Sequence, residues 1–209
     1  DITVEMDGGP WFVPGIAVGV ASILVYIAAQ MLGAIIGAAL CWLAYKDHFD
    51  VEQDQATKLG VFATGPAIRS YAWNLVTEII ATFVLVFVVL SSGKFAGNTT
   101  VEPANLGWLG ALGVALLIVG IGASLGGPTG YAINPARDLG PRIAHFILPI
   151  KGKGGSDWGY SWVPVVGPII GGFLLEHFDW GSVFLLAVPI LIPLLILAPI
   201  MLPESKDPN

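Results

Sequence analysis

Little of this chain is charged. Only 11% of its 209 residues are Asp, Glu, Lys or Arg, less than half of the roughly 25% that a soluble domain carries. That leaves too little polarity to build a water-facing surface around a composition that is 55% hydrophobic, and the mean hydropathy of +0.78 agrees. Positive charge is scarcer than negative. The net charge is -6, with the acids mainly in loops and near the ends, so no nucleic-acid-binding surface is expected. The single cysteine, Cys41, excludes an internal disulfide and reads as a small buried or lipid-facing side chain. No group of His, Cys and carboxylates has metal-ligand spacing, and no nucleophile sits beside a base. Gly154-Gly155 lacks the pattern of a phosphate loop. Neither a metal, a cofactor nor enzyme activity is expected. The acidic start, Asp1–Asp7, does not read as a cleavable signal peptide.

What the chain does have is apolar length. About five segments approach the roughly 20 residues that a bilayer-crossing helix needs. Spans are expected near Ile23–Tyr45, Tyr71–Leu90, Leu106–Leu125, Ser161–Leu175 and Ser182–Leu202. Pro14, Gly15 and Gly19 read as a broken or interfacial start before the first. Gly33 and Gly37 have the G-x-x-x-G spacing that lets two helices approach closely. Prolines at 164, 168, 189, 193 and 199 make the last two spans irregular. Polar loops are expected at Lys46–Ser70, Ser91–Asn105, which holds the formal sequon Asn98-Thr99-Thr100, and Pro149–Tyr160; Pro203–Asn209 is a polar tail. His48 and His145 read as interfacial. The fold class is all-α integral membrane, with a lipid bilayer as the first partner.

One stretch breaks this apolar monotony: Gly126-Gly127-Pro128-Thr129-Gly130-Tyr131-Ala132-Ile133-Asn134-Pro135-Ala136-Arg137-Asp138-Leu139-Gly140-Pro141-Arg142. Asn134 is a good helix N-cap and Pro135 a good first helical residue. A helix starting there has room for about three turns before Pro149, too short to cross a bilayer. A short helix at membrane depth must lie inside protein or line a watery cavity. The stretch therefore reads as a re-entrant half-helix with its positive end aimed into a pore. Gly126–Ile133 would supply a row of backbone carbonyls, and Asn134 a side-chain donor at the tip. Arg137 carries a permanent charge that costs about 2.5 to 3.5 kcal/mol at membrane depth. It is a candidate pore residue, against the plainer reading that it pairs with Asp138 or reaches the interface. Asp138 reads as a brace or cap for the half-helix. Glu78, in the middle of an apolar span, reads as a carboxylate accepting loop N–H groups, or as a polar residue facing a neighbouring helix.

Asn-Pro-Ala-Arg-Asp, preceded by Gly-Pro-Thr-Gly-Tyr-Ala, resembles the second signature loop of the major intrinsic protein (aquaporin) family. Asp138 directly after Arg137 resembles its glycerol-conducting branch, the glycerol uptake facilitators, and the likeness runs from about Tyr26 to Gly172. The resemblance implies a channel for facilitated diffusion of glycerol, similar small neutral solutes and water, multi-pass in a bacterial plasma membrane. It implies Arg137 as the filter arginine, with Tyr131 and Gly122 at the other filter positions of this half. Asn134, Pro135 and Ala136 form the half-helix tip, and Glu78 and Asp138 support the loop.

The family is built from two inverted repeats, each with three spans and one half-helix. Here Tyr26–Tyr45 resembles the third span and Tyr71–Gly172 the whole second repeat. The first two spans and the first half-helix have no counterpart, so an incomplete aquaporin-like bundle is expected: about five transmembrane helices plus one re-entrant half-helix. Residues 1–25 are unassigned, 26–172 form the channel-like part, and 173–209 resemble the fifth and sixth spans of a drug–proton antiporter of the major facilitator superfamily. A chimera or fragment is one reading, and a non-conducting membrane piece or part of an antiporter are the alternatives to a channel. The positive-inside rule would place the loops holding most basic residues in the cytoplasm, opposite to the channel family. A homo-oligomer of two oppositely oriented copies would bring two half-helices together.

Overall fold

The computed structural model describes residues 20–95 and 108–177. Every regular element among these residues is helical. Three helices are long and apolar enough to cross a membrane: Val20–Ala44, Tyr71–Leu90 and Leu109–Thr129. The fourth expected span is a shorter helix, Val163–His177. The fifth, Ser182–Leu202, the sequon at Asn98 and most of the antiporter-like segment lie outside the described residues.

The chain divides into two compact units. In the first, α1 (Val20–Ala44) carries no buried residue along 25 positions, as expected for a helix whose solvent is lipid. Met31, Ala34, Ile35, Ala38 and Trp42 are among its less exposed positions, spaced three and four apart so that they form one face. That face meets α6 (Pro135–Ile147). The closest approach is at Gly140, where a Cβ would stand 2.6 Å from the Ala34 Cβ. The G-x-x-x-G pair does not make this contact. Gly33 and Gly37 have nothing within 4 Å, because they fall on the opposite, exposed face, and Ala34 against Gly140 is the small-residue contact.

The expected loop Lys46–Ser70 holds two short helices, α2 (Lys46–Val51) and α3 (Gln55–Phe62). Asp54 caps α3, accepting from the Thr57 and Ala56 N–H groups at 2.8 and 3.3 Å, which satisfies two donors that the first turn leaves open. Phe49, Phe62, Ala144 and Ile150 then form a small core beneath these helices.

The second unit contains α4 (Tyr71–Phe95) and α5 (Trp108–Thr129), packed against each other. Most of α7 (Val163–His177) belongs to it. Its core is Ala81, Ile121 and Ile133, with Val84, Leu85, Leu117, Leu125 and Tyr131 around them. The third span ends later than expected. Gly126 to Thr129 continue α5, and Pro128 sits inside it. In apolar surroundings each unpaired backbone group costs several kcal/mol, so the helix continues through two glycines. Pro128 forfeits one ladder bond. The helix stops at Gly130, whose N–H reaches the Gly126 carbonyl at 2.7 Å with φ at 78°. Glycine enters that left-handed conformation without a Cβ penalty.

Candidate functional site

Five residues, 130–134, lie between α5 and α6, and half of the expected carbonyl row, Gly126 to Thr129, is helical instead. Tyr131 and Ile133 have φ of 42° and 47°. Such angles are uncommon outside glycine, and for β-branched Ile133 they are strained. Glu78 on α4 holds them. Its carboxylate, 1% exposed, accepts from Ala132 N at 3.0 Å and Ile133 N at 2.9 Å. Two successive N–H groups converging on one anion form a concave nest that favours negative charge. One turn earlier on α4, Asn74 donates to the Pro128 carbonyl at 3.2 Å and accepts from Ser70 N at 2.9 Å. Asn74 was not anticipated. The signal for it was its i, i+4 spacing from Glu78, which puts both on one helix face.

Tyr131 and Gly122 come together within this unit. A Cβ on Gly122 would stand 3.1 Å from the ring Cζ, and one on Gly126 would stand 3.1 Å from Cδ1. The glycines make a shallow bed on α5 in which the ring lies, and both remain partly exposed.

In the first unit, α6 begins as a half-helix should. Asn134 has φ -157° and ψ 123°, its Oδ1 accepts from Ala136 N at 2.8 Å, and Pro135 follows at the first helical position. With the oxygen committed to the cap, the exposed Asn134 has its amide NH2 as a donor group. Asn134 and Arg137 are exposed; Pro135 and Ala136 are partly so.

Asp138 is fully buried and accepts from Thr64 N at 2.7 Å and Thr64 Oγ1 at 2.6 Å. Its charge partner is Arg142: Nε reaches Oδ1 at 2.8 Å and Nη2 reaches Oδ2 at 2.9 Å. Arg142 was assigned no role in the site from sequence; it is 0% exposed. His145 is likewise corrected from interfacial to fully buried. It shares a hydrogen bond of 2.8 Å with Ser156 Oγ and packs edge-on to Phe62. Membrane-facing position alone suggested exposure, and the folding back of residues 150–157 covers it. His48 is exposed. No group of three or more His, Cys, Asp or Glu among the described residues is arranged to hold a metal.

Apolar membrane-length helices with a short, capped helix presenting donors at its N-terminus define a polytopic helical membrane protein with a re-entrant half-helix. The family model described as Major intrinsic protein matches residues 12–176. The chain belongs to the major intrinsic protein family. It is 59% identical over 160 residues to the glycerol uptake facilitator protein of Bacillus subtilis (strain 168), covering 77% of this chain and 53% of that one. It is 52% identical over 154 residues to glycerol uptake facilitator protein 3 of Lactiplantibacillus plantarum, covering 74% and 61%. The X-ray structure of the aquaglyceroporin from Plasmodium falciparum aligns with a TM-score of 0.62 at 27% identity, over 79% of this chain and 66% of that one. The chain thus spans between half and two-thirds of the length of these relatives. With that likeness the fold is an incomplete aquaporin-like helical bundle.

Proposed function

We propose that this chain carries the solute-discriminating half of a channel for facilitated diffusion of glycerol and similar small neutral solutes, water included, in a bacterial plasma membrane. The observation that carries the reading is α6. It is too short to span, is capped by Asn134 and Pro135, and exposes Arg137 one turn from its positive end. In this reading Arg137 offers fixed guanidinium donors to solute hydroxyls and repels cations. The Asn134 amide supplies further donors, with Pro135 and Ala136 completing the half-helix tip. Tyr131 offers an apolar ring face for the carbon skeleton, in the room that Gly122 leaves. Glu78 and Asp138 support the loop and the helix without touching solute. The protein is then a passive conductor rather than an enzyme, and the names of its bacterial relatives as glycerol uptake facilitators support the choice of solute.

The chain's share of its relatives' length favours a second reading, in which residues 26–172 conduct only beside a further half-helix. A second copy in the opposite orientation would supply one. Stopped-flow light scattering of proteoliposomes under a glycerol gradient tests the proposal. Flux above empty liposomes, with altered solute and ion selectivity in Arg137→Ala, is expected. Equal flux of solutes and ions in wild type and variant would count against it. Flux no greater than in empty liposomes, from folded and inserted protein, would mean that the chain by itself is a non-conducting membrane piece that keeps the family's signature.

A further inference from the structure

A half-helix needs something to fix its rotation. It is held by the bilayer at neither end, and one residue of slippage turns every side chain by about 100°. In α6 the difficulty is sharper because Pro141 lies inside it. Proline has no N–H to offer the carbonyl four residues earlier, which is that of Arg137. The ladder is thus interrupted between the turn that carries Arg137 and the turns that follow.

Arg142 and the loop after α6 span this interruption. All five guanidinium N–H groups are engaged while the side chain is fully buried. Nε and one Nη2 donor take Asp138, and the other Nη2 donor takes the Thr64 carbonyl at 2.9 Å. Nη1 takes the carbonyls of Ser156 and Asp157 at 2.8 and 3.0 Å. Three separate stretches of chain therefore converge on one side chain. The same loop grips the end of α6: Lys153 Nζ donates to the carbonyls of His145, Phe146 and Leu148 at 2.6, 2.6 and 2.7 Å. A cation there also suits the negative end of the helix. Buried Lys58 on α3 donates in turn to the Lys151 carbonyl. The loop reaches all these partners because Gly152, Gly154 and Asp157 turn through φ of 63°, 69° and 49°.

We propose that Arg142, with residues 151–157, is a clasp that sets the rotation and register of α6 and thereby the placement of Arg137 and Asn134. Arg142 is a positioning residue for solute discrimination; it does not meet solute. The inference rests on the channel reading above for its consequence, though not for its geometry. Lysine cannot replace the clasp, because a point charge cannot hold a planar carboxylate and three carbonyls in a fixed fork.

The test uses Arg142→Gln, Arg142→Lys and Lys153→Met in proteoliposomes, with flux normalised to inserted protein. The ratio of glycerol to water permeability is expected to change by about tenfold in Arg142→Gln, to recover only partly in Arg142→Lys, and to change less in Lys153→Met. Where the wild type conducts, unchanged fluxes, or glycerol and water falling by one common factor, would overturn the proposal, since a merely structural role scales both alike. Hydrogen exchange of residues 135–147 separates this from failure of the channel reading. Even in a wild type that does not conduct, Arg142→Gln and Lys153→Met are expected to speed exchange in α6, by about tenfold or more for Arg142→Gln. Exchange equal to wild type in both variants would also overturn it.

Discussion

Glu78 and Asp138 are both buried carboxylates and both hold the signature segment, yet they are balanced in different ways. Glu78 braces a loop and accepts two backbone N–H groups. Asp138 braces a helix and meets a guanidinium, a backbone N–H and a hydroxyl. The loop's problem is conformational, since Tyr131 and Ile133 must stay at positive φ, and converging backbone dipoles on one anion solve it. The helix's problem is orientational, and a forked cation with partners in three directions solves that. An error at Glu78 should therefore relax backbone geometry locally. An error at Asp138 leaves an uncompensated buried charge.

The comparison breaks most severely at Asp138. Asp138→Ala strands the Arg142 guanidinium, and losing one partner of a buried pair costs about 3–5 kcal/mol. A large loss of melting temperature in detergent is expected. The double variant with Arg142→Met should be less destabilised than the sum of the two single variants. Strict additivity in that cycle would mean that the pair is not coupled.

Glu78→Gln comes next. One of the two N–H groups then faces an amide NH2 instead of an acceptor and the other keeps only a neutral oxygen, at roughly 1.5–3 kcal/mol. The melting shift should be smaller than for Asp138→Ala, with the exchange gain confined to residues 130–133. A shift as large as that of Asp138→Ala would erase the distinction between the two carboxylates.

Gly167 sharpens the Glu78 side further. A Cβ there would stand 2.5 Å from the Glu78 Cβ, and one at Gly171 would stand 2.6 Å from the Ile79 carbonyl. These glycines let α7 lie against the turn of α4 that carries Glu78. Gly167→Ala must push that turn, at about 1–3 kcal/mol for overpacking. Faster exchange at Ala132 and Ile133 should accompany it, and exchange unchanged there would show that the turn does not transmit the strain.

Much of this was legible in the sequence because the bilayer imposes coarse rules. Apolar length gave α1, α4 and α5, and Asn134-Pro135 gave the start of α6. Three features were not legible, each for a physical reason. Gly126-Gly127-Pro128 has loop composition, but a backbone in apolar surroundings keeps its hydrogen bonds, so α5 runs on. Arg142 was assigned no role, although its i, i+4 spacing from Asp138 was a readable sign of a helix pair. The positive φ of Ile133 had no local sign, because β-branched residues resist it and only the carboxylate on α4 makes it tolerable. Among the site residues, Glu78 and Asp138 could be read as braces. The remaining partners of Arg142 could not, because they depend on residues 64, 156 and 157 returning to α6.

Asp54 offers the gentlest test of the same comparison, since it accepts N–H groups in water rather than in the interior. The Thr57 hydroxyl at 2.6 Å, then the Thr57 and Ala56 N–H groups, hold its pKa below the ordinary 3.8. A lowered folded pKa means that the carboxylate stabilises the cap fully above the ordinary value and loses that contribution as pH falls through the folded one. The melting difference between wild type and Asp54→Ala should therefore be full at pH 6 and shrink once the pH drops below about 4. It should stay well under that of either buried carboxylate, because the group is exposed and screened. A difference that is constant from pH 6 to pH 3 would mean that the cap works equally well protonated. Charge would then matter only where burial removes water, which is the strongest form of the contrast between Asp54 and the buried pair.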